Sequence, residues 1–109
     1  MIDQNLNDEE QMPLWDVALA ALVTEKCKNK KKPLHIADFQ QLSTKYAIRF
    51  DDIMDTVLRM VMHNKWVYTE PDGRVRHITE EEFNNMHKGG RLVNSDLKEL
   101  DGSWRPVDQ

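Results

Sequence analysis

The chain has one cysteine, Cys27, in 109 residues. No internal disulfide can form, and no second thiol stands at the spacing of a structural zinc site or a redox dithiol. With four glycines and four prolines the chain holds neither a glycine-rich phosphate loop nor a flexible linker. The four histidines, His35, His63, His77 and His87, show no HExxH spacing, and no GxSxG elbow is present. These absences give no motif for catalysis, so no enzyme, metal or cofactor is expected. No apolar run approaches the roughly 20 residues that span a bilayer. Residues 1–11 are polar and acidic, unlike a secretory signal. The expected setting is cytoplasmic, with no membrane partner.

Apolar residues make up 39% and charged residues 31%, which suits one globular domain with a heavily charged surface. The net charge of −4 is unevenly spread: −4 over residues 1–12, +3 over 13–79 and −3 over 80–109. A mildly basic middle between acidic ends is a weak field for nucleic acid, whose binders carry a strong basic patch.

Apolar spacing divides the chain. Residues 1–12 read as a flexible acidic leader. From Leu14 through Val23 all residues but Asp16 are apolar, which predicts a nearly buried helix; Lys26, Lys28 and Lys30 suit its C-terminal end, and Pro33 prevents its continuation. A short strand is expected at 34–36. Phe39, Leu42 and Tyr46 then mark one face of a short helix over 37–46. Phe50, Ile53, Met54, Val57, Leu58 and Val61 mark the strongest helical pattern in the chain. The segments 66–69 and 74–78, separated by Glu70-Pro71-Asp72-Gly73, predict a β-hairpin, in which His77, like His35 in the earlier strand, is expected in ordinary hydrogen bonds. Thr79 and Glu82 form a capping box for a helix over 80–87, with Ile78 and Phe83 as its hydrophobic staple. Gly89-Gly90 stops that helix. Beyond it Val93, Leu97, Leu100 and Trp104 are spaced as in a short docked helix, and truncation before Leu92 is expected to leave a folded domain with a changed association state or exposed apolar surface.

Helix, short strand, helix, tight turn, helix and hairpin is the element order of the winged-helix superfamily, which residues 13–79 resemble. The stretch from Leu42 to Ile53 is similar to a helix-turn-helix, with Ala47 in the turn and Ile48 and Ile53 as core anchors. The resemblance implies an α+β, mainly helical fold: a winged-helix domain over 13–88, with a closing helix, and a C-terminal extension over 89–109. It also implies that the second motif helix would face a partner or a DNA groove through Phe50, Asp51, Asp52, Asp55, Thr56 and Arg59, with Arg74 and Arg76 on the wing.

Three of those six motif residues are aspartates, whereas DNA affinity comes largely from lysine and arginine. Their plain structural reading is electrostatic: Asp51 and Asp52 suit a first turn, and Asp55 pairs with Arg59 at i, i+4. In favour of DNA, Arg74 and Arg76 alternate onto one face of their strand, and five lysines stand at 26, 28, 30, 31 and 32. In favour of a protein partner, Met60 and Met62 border the apolar stripe of the third helix, and Leu97, Leu100 and Trp104 form an aromatic-anchored tail that docks on its own domain or on a second chain. The resulting expectation is a non-enzymatic winged-helix module for protein–protein contact or self-association, including a homodimer. A DNA-binding transcriptional regulator is the alternative.

Overall fold

The computed structural model describes residues 15–93 and 97–108, which form a small α+β unit of four helices with small antiparallel sheets. Helix α1 (Val17–Lys30) starts where the Asp16 carboxylate accepts the Leu19 amide at 3.1 Å. It stops at Lys31, which turns left-handed (φ 59°) and donates its N–H to the Cys27 carbonyl. The expectation of a nearly buried helix does not hold for its first half: Val17, Ala18 and Ala21 are exposed, and the buried residues of α1 are Val23 and Cys27. The reason is tertiary, because the rest of the domain packs against one side of α1.

Helix α2 (Ile36–Tyr46) begins at His35, whose backbone N–H donates to Asp38 Oδ2 at 2.8 Å. His35 is therefore a cap rather than a strand residue, and Leu34 makes the one β-bridge of this region. Asp38 also receives Lys30 Nζ at 2.7 Å, which ties the end of α1 to the start of α2. Burial pushes the Asp38 carboxyl up, but the hydrogen bonds from Lys30 and the His35 N–H, with the charges of Lys30 and Lys26, outweigh it and hold the group below the usual range. Ala47 (φ 56°) makes the tight turn into helix α3 (Phe50–Met62).

Strands β1 (Trp66–Thr69) and β2 (Val75–Arg76) form the expected hairpin, with Gly73 at φ 95° in its turn, but β2 is shorter than the expected 74–78 and His77 lies outside it. Helix α4 (Glu80–Asn85) opens on the capping box: Thr79 Oγ1 accepts the Glu82 amide at 3.1 Å, and Glu82 Oε1 accepts the Thr79 amide at 3.0 Å. The helix ends before His87, because His87–Lys88 (β3) pairs with Arg91–Leu92 (β4) around Gly89 and Gly90, both at positive φ.

The tail differs from its expectation. Ser103–Pro106 is a strand, β5, antiparallel to β1 with Tyr68 opposite Trp104, and Leu34 exchanges two 2.8 Å backbone hydrogen bonds with Trp104 on its other side. The sheet order is β2-β1-β5, with Leu34 beyond β5. Trp104 is fully buried, its ring against Tyr68 (centroids 4.5 Å) and edge-on to Phe39 (6.1 Å). Leu97 and Leu100 are buried with it. Gly102 leads into β5 because a Cβ there would stand 1.8 Å from the Thr69 carbonyl oxygen. The described residues of 89–109, separated in sequence as an extension, thus supply strands β4 and β5 and part of the core. Among the described residues no helix is long and apolar enough to cross a membrane.

Candidate functional site

The motif helix α3 carries Asp51 and Asp52 in its first turn, where the free N–H groups and the helix dipole favour carboxylates. The fold gives these acids further partners. Asp51 accepts Arg49 Nε at 3.1 Å and, from forty residues along the chain, Arg91 Nη1 at 3.0 Å. Burial raises the Asp51 carboxyl, but the hydrogen bonds and charges of Arg49 and Arg91 outweigh it, so the group titrates below the usual aspartate range. Arg91 also stands 3.6 Å from Asp52. One turn further on, Asp55 accepts Arg59 Nε at 2.9 Å and lies 3.1 Å from His87 Nε2. His87 Nδ1 is 2.7 Å from the Phe83 carbonyl, so each ring nitrogen faces an oxygen acceptor. Arg59 lies over the Phe83 ring, 4.8 Å from its centroid.

Hairpin β3–β4 and α4 therefore cover much of the face through which α3 was expected to meet a partner. Asp51, Asp55 and Arg59 bond to the chain itself, Phe50 sits half-buried beside Arg91 and Leu92, and Asp52 remains half exposed. Thr56, expected on the outer face, is 2% exposed: α3 packs against α1, α2, β1 and β4, and its buried arc is wider than one apolar stripe. Met60 is buried for the same reason, while Met62 stays at the edge.

The wing arginines do not form one grip. Arg74 lies in the turn, its Nε 2.8 Å from Asp72 Oδ2, and its side chain is 80% exposed. Arg76 folds back onto α4, 2.7 Å from Glu82 Oε2 and 3.6 Å from Glu70. The Thr79 amide and Arg76 hold the Glu82 carboxyl low against the effect of burial. The lysines at 26, 28, 30, 31 and 32 stand at the end of α1 and in the loop leading to Leu34, beyond β5, whereas β2 forms the other edge.

Beside the motif helix an open groove runs between the start of α1 and α3, lined by Trp15, Ala18, Leu19, Ile48, Asp52 and Asp55. Of the tail residues expected to make contacts, Leu97, Leu100 and Trp104 all lie in the core and offer no surface to a partner. Cys27 is a buried packing residue. Among the described residues no group of three His, Cys, Asp or Glu side chains could hold a metal ion. What sequence reasoning missed was the β3–β4 hairpin with Arg91 and His87. Its signal was present in Gly89-Gly90, a pair suited to a two-residue hairpin turn as well as to a helix stop. No protein family, curated protein or solved structure compared with the chain matches it.

Proposed function

We propose that this chain is a non-enzymatic winged-helix module that works through protein–protein contact, including self-association, in a regulatory setting. The observation that carries this reading is the disposition of charge around α3. Its aspartates are engaged by Arg49, Arg59, Arg91 and His87, and Arg74 and Arg76 are paired with carboxylates of their own surroundings. The exposed lysines stand at the opposite sheet edge from the wing. A DNA duplex laid along α3 would meet carboxylates and arginines already paired, with little counterion release to drive binding. A protein surface has no such requirement, and the groove beside Ala18 and Leu19 combines apolar contact with a polar rim.

The exposure of Arg74 and of the lysine run favours the second reading, a DNA-binding regulator, and one experiment separates the two. The native chain is titrated against random and genomic duplex fragments at two salt concentrations. The expected outcome is sequence-indifferent, salt-sensitive binding with a dissociation constant of about 10⁻⁴ M or weaker at physiological salt. Recovery of a preferred sequence bound at nanomolar strength would replace the protein-contact reading with the DNA-binding one.

A further inference from the structure

The stretch Val17–Val23 contains no polar side chain, and a helix apolar on every side is ordinarily enclosed. Here Val23 alone of the seven is buried; Val17 is 60% exposed, Ala18 and Ala21 are exposed, and Leu22 is half-buried. At 100° per residue Val17, Ala18, Ala21 and Leu22 share the side of α1 turned away from Val23 and Cys27. Leu22, at one edge of this side, packs partly against the core, and Ala18 borders the groove toward α3, while Val17 and Ala21 between them stay exposed among the described residues.

The charge pattern around this side identifies what fits it. The N-terminal end of α1 carries three carboxylates, Asp16 with Asp52 and Asp55 of α3; Arg59 pairs with Asp55, Arg91 stands 3.6 Å from Asp52, and His87 stands 3.1 Å from Asp55. The C-terminal end is basic, with Lys26, Lys28, Lys30, Lys31 and Lys32 against Glu25, and Lys30 paired to Asp38. A foreign basic or acidic segment would complement one end and oppose the other. A second α1 laid antiparallel complements both, sets the two helix dipoles in opposition, and leaves the uncharged middle as the contact. A parallel arrangement would stack lysines on lysines. We propose that the partner for this face is a second copy of the same chain, α1 against α1, antiparallel about a two-fold axis near Ala21. The proposal rests on the protein-contact reading above and names its partner. A contact centred on one helix lies at the small end of specific interfaces, so the dimer is weak and reversible.

Sedimentation equilibrium of the full chain, from about 5 to about 500 µM, measures it directly. The expected result is a reversible monomer–dimer equilibrium, weaker at high salt. Ala21→Arg, which keeps a good helix former at an exposed position, should weaken association about tenfold or more. Under mild oxidation Ala21→Cys should cross-link between copies. Lys28→Cys should not, because the two sites would lie about 20 Å apart in an antiparallel pair; the native Cys27 is buried and serves as the control. A monomer at every concentration, a dimer indifferent to Ala21→Arg, or cross-linking of Lys28→Cys as ready as that of Ala21→Cys would each overturn the proposal. None of these results depends on the DNA titration: a monomer that binds DNA weakly refutes the dimer alone, while tight sequence-specific DNA binding refutes the reading beneath it.

Discussion

Three carboxylates outside the turns do similar work in different places. Asp38 joins α1 to α2 through Lys30 and the His35 amide, Asp51 joins the start of α3 to Arg91, and Glu82 caps α4 while holding Arg76. All three titrate below their ordinary values of 3.8 for aspartate and 4.5 for glutamate. A carboxyl whose folded pKa is depressed binds fewer protons folded than unfolded. Its contribution is therefore complete above the unfolded pKa and is lost as pH falls through the folded one. Thermal unfolding followed against pH should show a midpoint that declines from about pH 4.5 downward, and Asp38→Asn should flatten part of that decline. A midpoint that stayed level or rose between about pH 5 and pH 3 would contradict the assignment of these groups as native-state anchors.

At the level of elements, what could be read in the sequence was local. The starts of α3 and α4 and the β1–β2 hairpin follow from apolar spacing, acidic first turns and turn chemistry, each contained within about a dozen residues. The reading failed where an element is defined by what it packs on. Ser103–Pro106 is four residues long and ends in proline, and its partner β1 lies more than thirty residues earlier, so nothing local distinguishes it from a loop or a helical end. The buried Thr56 depends likewise on the elements around α3, and the exposure of Val17 and Ala21 on the side of α1 that the other described elements do not cover. At the candidate site the aspartates were legible as first-turn and i, i+4 residues, while their longest-range partners, Arg91 and His87, were not. The strand changes what truncation should do. Deleting residues 103–109 removes Trp104, a β1 partner and the contact of Leu34; burial of a tryptophan alone is worth about 3–5 kcal/mol, a large share of a small domain's stability. The truncated chain should lose its cooperative unfolding transition by circular dichroism. Retention of that transition with an unchanged midpoint would make the tail dispensable to the fold.

For the molecule as a whole, the pairing of charge within the chain is what the proposed protein-contact reading rests on. Arg59, Arg74, Arg76 and Arg91 pair with the protein's own carboxylates, and the lysines lie at the end of α1 and in the loop that leads to Leu34. The hairpin β3–β4 holds the start of α3 through Arg91 and reaches Asp55 through His87, while Asp52, Asp55, Thr56 and Arg59 still border the open groove toward α1. This arrangement depends on the hairpin being anchored to α3 through Arg91 and Asp51. Neutralising Asp51 alone would also remove a favourable charge from the helix N-terminus, so the pair must be isolated from that effect. A double-mutant cycle of Asp51→Asn and Arg91→Gln, read by urea unfolding, does this. The expected result is a favourable coupling of about 0.5–1 kcal/mol, appropriate to an ion pair with one partner largely shielded from solvent. A coupling indistinguishable from zero, with each single substitution acting independently, would mean that the hairpin does not hold the acidic face of α3 and that this face is free to meet a partner.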